Sequence, residues 1–231
     1  VFSSICVTHR FLNSVLTQKI VLYSGLRRID FETTLEWNEQ GVPGQESPML
    51  RVLFTPCLGV SRAAFEVPFA GYERPADGRE MPALRWLDIS ECVENGCGFS
   101  LLNDGKYGHQ AYGNTLGLTL MRSPCEPQQA TDVGTHHFGY ALYPHAGDWK
   151  AAHTIHRAAE FNQPFQVVIS DEQPLPHVAG VSLLSVEPPS IILSAFKLAE
   201  MQSGKGTAWI ARFYETTGNE IEAMIHLGWR V

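Results

Sequence analysis

The sequence lacks several features that mark common classes of protein. No apolar run approaches the roughly 18 residues that a membrane-spanning helix needs. No run of lysine and arginine is present, and the formal net charge of the 231-residue chain is -7, so the electrostatic footprint of a nucleic-acid-binding protein is missing. We therefore expect neither a membrane nor a nucleic acid as a partner.

A dense disulfide framework is missing as well. The chain has five cysteines, an odd number, and it has no Asn-x-Ser/Thr glycosylation sequon. Both features favour a reducing compartment, and we predict a cytoplasmic protein. Because the chain starts at Val1 rather than at a methionine, we also expect it to be a piece of a longer protein.

Motifs of several common chemistries do not occur. The patterns GxSxG, GxGxxG and GxxxxGK[ST] are not found. His136 and His137 are adjacent on a strand-like segment, so their side chains point to opposite faces and cannot easily ligate one ion. His153 and His156 have a helical spacing that suits a metal, but no second pair of ligands accompanies them. We predict no metal site in this chain.

Strand patterns dominate what is present. In the segment IDFETTLEWN (29–38) one set of residues is mainly apolar and alternates with a polar set. The first set is Ile29, Phe31, Thr33, Leu35 and Trp37; the second is Asp30, Glu32, Thr34, Glu36 and Asn38. This period of two predicts a half-buried antiparallel strand.

Other strand-like runs are separated by turns rich in Gly, Pro and Asn. They are QKIVLYSG (18–25), MLRVLFTPCL (49–58), RAAFEVPFAGYE (62–73), RWLDISECVENGCGFSLLND (85–104), TLGLTLMRSP (115–124), THHFGYALYPH (135–145) and FQVVIS (165–170). Many short strands of this kind predict a β-sandwich or a related pair of large antiparallel sheets.

One helix is predicted in the segment DWKAAHTIHRAAEFN (148–162). Asp148 is the predicted N-cap, and Ala152, Ile155 and Ala159 approximate one apolar face. The helix is expected to end near Asn162.

A domain boundary is predicted in the polar, Pro-rich segment SDEQPLPHVAG (170–180). We place a β-sandwich domain at 1–172 and a small terminal β-domain, expected to be truncated, at 173–231. Within the second domain, SGKGT (203–207) is predicted to be a hairpin turn.

The stretch LLNDGKYGHQAYGN (101–114) concentrates polar side chains between glycines. Glycines permit positive φ angles and close backbone approach, so a shaped loop is predicted here. The residue types alone leave two interpretations open. The stretch is either a β-turn with an Asp or Asn cap, or part of a binding site.

Ordered motifs around this stretch resemble the C-terminal β-region of glycoside hydrolase family 38, the class II α-mannosidases. The run FSLLNDGKYGHQAYGNTLGLTLMRSP (99–124), followed by DVGTHHFGYALYPHAGDW (132–149), is similar to the family's LLND-x-KYG loop, RSP strand and YALYPH segment. Upstream, RIDFETTLEWNE (28–39) resembles the family's IDFET strand, with Glu36 where Asp is usual. The resemblance runs from about residue 17 to the end of the chain.

The resemblance implies a fold and an activity. The implied fold is mainly all-β: a large antiparallel β-sandwich of the galactose-mutarotase-like supersandwich type, with one short helix and a small C-terminal β element. The implied activity is that of a zinc-dependent, retaining exo-α-mannosidase acting on terminal α-mannosides of oligosaccharides. Its zinc ligands and nucleophilic aspartate belong to an N-terminal catalytic domain that this chain lacks, so no catalytic residue, metal ligand or cofactor is assigned here.

The resemblance also implies site residues. The family's β-region packs against the catalytic domain and lines one side of the sugar site. Lys106 is expected to face the sugar, with Asn103 and Asp104 orienting it and Tyr107 forming a wall. A lysine ammonium offers three donors to sugar hydroxyls, and a neighbouring carboxylate can hold it.

Two other functions remain open from the sequence. The chain could be an independent carbohydrate-binding module, which predicts that it binds mannosides by itself. It could also be a non-catalytic interaction domain, which predicts no binding. An α-mannosidase fragment predicts an isolated chain that is inactive and a longer protein that is active with zinc.

Overall fold

The computed structural model describes residues 1–59, 61–126, 132–167, 169, 182–200 and 208–228. The chain divides into two compact units, Val1–Gln163 and Pro164–Val231. The boundary predicted at 172/173 lies outside the described residues. Within the described ranges, no helix has the length and apolar character needed to cross a membrane.

The first unit is built from two antiparallel sheets. In chain order its strands are β1 (Phe2–Phe11), β2 (Ser14–Tyr23), β3 (Ile29–Trp37), β4 (Met49–Phe54), β5 (Ser61–Val67), β6 (Ala70–Arg74), β7 (Asp77–Pro82), β8 (Trp86–Glu91), β9 (Cys97–Asn103), β10 (Gly108–Tyr112), β11 (Thr115–Arg122) and β12 (Gly134–Ala146). The larger sheet has the order β1-β2-β3-β12-β9-β8-β5-β6, and the smaller has the order β4-β11-β10-β7. The predicted antiparallel β-sandwich is confirmed.

The apolar core lies between the two sheets. The larger sheet contributes residues such as Leu35, Leu87 and Leu101, and the smaller sheet contributes Leu116 and Leu118. All five are fully buried. Burying one such side chain stabilises the fold by about 1.5–3 kcal/mol, so the alternation of apolar residues along these strands selects the faces that meet.

Strand β3 shows the predicted alternation with one exception. Trp37 is buried, while Glu32 and Glu36 are exposed. Asp30 was predicted on the solvent face, yet it is only 8% exposed. Arg28 donates to both of its carboxylate oxygens, from Nε at 2.5 Å and from Nη2 at 2.9 Å. A paired charge can be buried where an isolated one could not be.

The described residues contain one α-helix, α1 (Thr154–Asn162), which packs on β8 and β9 of the larger sheet. It ends at the predicted residue but begins later than predicted. The assignment of Asp148 as its N-cap is wrong. The Asp148 carboxylate accepts hydrogen bonds from the amides of Lys150 and Ala151, at 3.1 and 2.8 Å, and so caps a separate turn before the helix.

Packing against the sheet decides which face of α1 is buried. The buried helical residues are Thr154, Ile155 and Ala158, whereas Ala159 of the predicted face is only half-buried. Thr154 is buried because its hydroxyl bonds to that of Ser100 in the sheet at 2.8 Å, a contact that the helical period alone does not reveal.

In its described residues the second unit contains two pairs of antiparallel strands. Its strands are β13 (Leu184–Glu187), β14 (Ile191–Leu198), β15 (Trp209–Glu215) and β16 (Met224–Leu227), with β13 paired to β16 and β14 paired to β15. These strands form the predicted small β element. The turn predicted at 203–207 lies outside the described residues.

The strand predicted for FQVVIS is wrong where the structure describes it. Phe165, Val167 and Ile169 are exposed and belong to no strand. A short apolar run indicates a strand only if a neighbouring strand pairs with it, and one sequence does not show that partner.

Candidate functional site: the inter-sheet loop

The loop that resembles the family's LLND-x-KYG motif crosses from one sheet to the other. Strand β9 of the larger sheet ends at Asn103, and β10 of the smaller sheet begins at Gly108. Residues 104–107 therefore form the crossover, which we call the inter-sheet loop. Gly105 within it has a φ of +136°, a conformation that side chains disfavour. The expectation of a shaped loop is confirmed.

The side chain of Asn103 holds the inter-sheet loop in shape. Asn103 is fully buried. Its Oδ1 accepts hydrogen bonds from the amides of Gly105 at 2.9 Å and Lys106 at 2.7 Å. Its Nδ2 donates to the carbonyl of Leu84 at 3.1 Å and lies 3.0 Å from Nε2 of His109. All of these hydrogen bonds of the side-chain amide are made within the protein, and two of them hold the backbone of the loop.

His109 completes this arrangement from the first strand after the loop. It is fully buried, and its Nδ1 lies 3.1 Å from the carbonyl oxygen of Tyr107. A carbonyl only accepts, so Nδ1 carries the proton and Nε2 accepts from the amide of Asn103. Burial lowers the pKa of His109 to about 4, which keeps the ring neutral at neutral pH.

Asp104 fastens the loop to β12. Its Oδ2 accepts a hydrogen bond from the amide of Gly139 at 2.6 Å, and its own amide donates to the carbonyl of Gly139 at 3.3 Å. The last residue pair between β9 and β12 is Asn103 opposite Tyr140. Asp104 therefore extends the ladder beyond the end of β9 by one backbone and one side-chain hydrogen bond.

Lys106 rests on an aromatic face. Its Nζ lies 4.0 Å from the ring centroid of Phe138, a residue of β12. Burial lowers the pKa of the Lys106 ammonium, although the nearby carboxylates of Asp104 and Asp132 act in the opposite direction. Lys106 takes no part in the ion pairs formed by the described residues. Its N–H donors can therefore serve a ligand.

Tyr107 presents its ring to solvent from a fixed backbone. The residue is 62% exposed. Its carbonyl accepts from the amide of Ala83 at 3.1 Å as well as from His109. Gly108 then begins β10 of the smaller sheet, at a position where a Cβ would collide with Glu80 and Thr119. The loop thus brings together Lys106 and Tyr107 at the surface, with Asn103 beneath them.

An open groove of about 490 Å³ lies beside the loop. Its lining includes Thr17, Lys19, Glu32, Asp104 and His137. The ammonium of Lys19 is paired with the carboxylate of Glu32 at 3.2 Å, and both side chains are largely exposed. Hydroxyl, carboxylate and ammonium groups suit hydrogen bonding to a polyol.

The adjacent histidines have different partners, as the strand geometry predicts. Nε2 of His136 lies 2.7 Å from the carbonyl of Asp132, and Nδ1 of His137 lies 3.0 Å from Oγ1 of Thr34. Among the residues that the structure describes, no group of three or more His, Cys, Asp or Glu side chains could hold a metal ion. These residues do not fit a zinc site, and no chemical step through zinc is derived for this chain.

A second buried polar cluster lies between the larger sheet and α1. Oδ2 of Asp88 lies 2.7 Å from Nε2 of His145 and accepts from the hydroxyl of Ser100 at 2.7 Å. The hydroxyl of Ser90 donates to the other oxygen of Asp88, and that of Thr154 lies 2.8 Å from the Ser100 hydroxyl. All five residues are buried, so this cluster ties β8, β9, β12 and α1 together.

Sequence reasoning missed two parts of the loop's environment. Phe138 supplies the aromatic face for Lys106, and His109 forms a hydrogen bond with the side-chain amide of Asn103. The strand period contains a signal for His109, because His109 and Ala111 alternate on the buried face of β10. No comparable signal exists for Phe138, since its contact with Lys106 depends on how β9 and β12 pair.

The fold and the loop define a large antiparallel β-sandwich domain whose inter-sheet crossover carries polar side chains. Residues 1–130 match the model described as the glycosyl hydrolases family 38 C-terminal domain. The chain belongs to this family, and the resemblance seen in the sequence is confirmed.

Relatives and solved structures agree with this assignment. The chain is 33% identical over 222 residues to alpha-mannosidase 2C1 of Mus musculus, covering 93% of this chain and 20% of that protein. It is 32% identical over 218 residues to alpha-mannosidase G of Dictyostelium discoideum, covering 89% and 19%. The chain thus spans about a fifth of the length of these curated relatives.

A crystal structure of a protein in glycosyl hydrolase family 38 from Enterococcus faecalis has the same fold. The two superpose with a TM-score of 0.70 at 17% sequence identity, over 93% of this chain and 26% of that chain. At this identity the likeness supports the fold alone.

Proposed function

We propose that this chain is the C-terminal β-sandwich portion of a zinc-dependent, retaining exo-α-mannosidase. In the longer protein it packs against the N-terminal catalytic domain and lines one side of the site for terminal α-mannosides. The chain by itself is not catalytic. Membership of family 38 and the names of the relatives, which are alpha-mannosidases, support this proposal.

The position of Lys106 carries the proposal. The ammonium is half-buried and lies 4.0 Å from the centroid of an aromatic ring, and it keeps donors for sugar hydroxyls. Asn103 and Asp104 fix the backbone just before it, because their side chains accept hydrogen bonds from the amides of Lys106 and Gly139. Tyr107 offers an exposed ring as a wall on which a sugar face can pack.

In our proposal the groups that carry out the hydrolysis lie outside this chain. Zinc and the nucleophilic carboxylate are assigned to the N-terminal catalytic domain, and this chain contributes one side of the sugar site. We also propose a cytoplasmic location, which is supported by the odd number of cysteines and the lack of a glycosylation sequon.

Substitution of Lys106 in the full-length protein tests this function. We expect Lys106→Ala to lower kcat/KM for an aryl α-mannoside by roughly tenfold to a hundredfold, a loss of about 1.4–2.8 kcal/mol of transition-state stabilisation. Lys197→Ala is the matched control, because Lys197 forms an exposed ion pair with Glu200 in the second unit. Its kcat/KM should equal that of the unmodified protein.

Equal kinetics for Lys106→Ala and Lys197→Ala would remove Lys106 from the sugar site. Calorimetric titration of the unmodified chain of residues 1–231 with methyl α-mannoside separates the other two functions. Millimolar or tighter binding by this chain indicates an independent carbohydrate-binding module. A full-length protein without α-mannosidase activity in the presence of zinc, together with no binding, indicates an interaction domain.

A further inference from the structure

His109 makes one ring hydrogen bond to the inter-sheet loop and the other to the residue just before the loop. Nδ1 bonds to the carbonyl of Tyr107, and Nε2 bonds to the side-chain amide of Asn103. These two residues stand on either side of Lys106 in the sequence. The imidazole therefore spans the base of the loop from inside the sandwich, and it is not exposed to solvent.

The two hydrogen bonds permit only one arrangement of donors and acceptors. The Tyr107 carbonyl requires a proton on Nδ1, which leaves Nε2 as an acceptor. An accepting Nε2 requires that the nitrogen of the Asn103 amide face it. The oxygen of that amide then faces the amides of Gly105 and Lys106, at 2.9 and 2.7 Å. The tautomer of His109 thus supports the orientation of Asn103 that the hydrogen bonds of its side chain with backbone groups also require.

We propose that His109 is a positioning residue for Lys106, because its neutral Nδ1–H imidazole orients the Asn103 amide and thereby fixes the backbone that carries the lysine. This inference rests on the proposed function of Lys106 in the sugar site. His109 touches neither the ligand nor the reacting atoms, so it acts only through Asn103 and the loop.

Protonation of the ring is incompatible with this arrangement. An imidazolium would point an N–H from Nε2 at the N–H of Asn103, and two donors cannot share one hydrogen bond. Burial lowers the pKa of His109 and so opposes protonation. Glu80 acts in favour of the charged form, while Arg74 acts against it. The loop therefore keeps its geometry across the neutral pH range.

The test compares His109→Phe and His109→Gln in the full-length protein. Phenylalanine fills a similar volume but removes both hydrogen bonds, whereas glutamine keeps an amide that can donate and accept. Leu118→Ala is the control for damage to the core, because Leu118 is the buried residue opposite His109 on β11.

Hydrogen exchange followed by mass spectrometry gives a readout that does not depend on activity. We expect His109→Phe to speed exchange at least tenfold in peptides that cover Gly105 and Lys106, with peptides of β5 unchanged. His109→Gln should recover most of the protection, and Leu118→Ala should leave this local pattern unaltered. Unchanged exchange in the loop of His109→Phe would overturn the inference.

Kinetics then link the loop to the site. We expect kcat/KM to fall about as far in His109→Phe as in Lys106→Ala. The kcat/KM of the double variant should equal that of Lys106→Ala alone, since both changes remove the same contribution of Lys106 to the site. Additive losses would overturn the inference. If Lys106→Ala itself has unchanged kinetics, the proposed function fails, and the exchange measurement alone decides whether His109 positions the loop. If His109→Phe does not fold, the same measurements on His109→Asn decide the outcome.

Discussion

The Asp88–His145 cluster and the Asn103–His109 cluster are each built around a buried histidine of the first unit, but they have different surroundings. His145 lies between the larger sheet and α1, where its partner is a carboxylate that also binds two serine hydroxyls. His109 lies where one sheet passes into the other, and its partners are a side-chain amide and a backbone carbonyl.

The difference shows how similar residue types serve stability in one place and shape in another. The carboxylate of Asp88 joins residues of three strands, and Ser100 extends the network to Thr154 of α1, so its loss loosens the packing of whole elements. The side chain of Asn103 bonds to two backbone amides of one loop and to Leu84 and His109 beside it. Its hydrogen bonds fix the geometry of a surface loop that carries Lys106.

The largest change in stability is expected at Asp88. In Asp88→Ala the donors of Ser90, Ser100 and His145 lose their buried acceptor, and we expect a loss of about 3–5 kcal/mol in the free energy of unfolding. Urea denaturation of the full-length protein measures it. Asp77→Asn, which alters an exposed pair with Arg79, is the control and should leave the midpoint unchanged. An equal midpoint in both variants would show that the Asp88 cluster does not hold the layers together.

An intermediate effect is expected from pH through His109. Its pKa in the folded chain is about 4, below the ordinary 6.5, so between these values the unfolded chain binds more protons than the folded chain. The contribution of neutral His109 to the free energy of unfolding is therefore fully present above about pH 6.5. It falls by at most about 3 kcal/mol as the pH drops towards 4. Urea denaturation at several pH values should show this slope in the unmodified protein, and His109→Gln should lose that part of it. The same slope in both proteins would contradict the buried, neutral assignment.

The smallest change in stability is expected at Lys106. Its half-exposed ammonium interacts with the Phe138 ring, which contributes about 0.5–1 kcal/mol. In urea denaturation, the free energy of unfolding of Lys106→Ala should therefore lie within about 1 kcal/mol of that of the unmodified protein. Its kcat/KM is nevertheless expected to fall tenfold or more. A large loss of stability in this variant would mean that its kinetic defect reports unfolding rather than sugar binding.

Much of the first unit follows from local patterns in the sequence. The alternation along residues 29–38 predicts β3, and the Gly- and Pro-punctuated apolar runs predict the sandwich, because a period of two places one face of each strand in the core. The glycines of residues 101–114 predict a shaped loop, because glycine permits positive φ angles. Gly105 has such an angle, a φ of +136°. These features depend on residues close together in the chain.

Other features follow only from how distant segments meet. The start of α1 was mispredicted because Asp148 caps a turn of its own. Asp30 is buried because Arg28 can reach both carboxylate oxygens, and FQVVIS forms no strand in its described residues. Local propensity does not report which partner a side chain or a strand edge will find.

The sequence by itself determined that this chain is an antiparallel β-sandwich with a polar, glycine-shaped loop. Periodicity and backbone freedom are properties of neighbouring residues. Only the tertiary structure decided that Asn103 turns inward, that His109 bonds to it and that Lys106 rests on Phe138. Those contacts join β9, β10 and β12, and the pairing of the strands, which involves residues far apart in the chain, brings them within hydrogen-bonding distance.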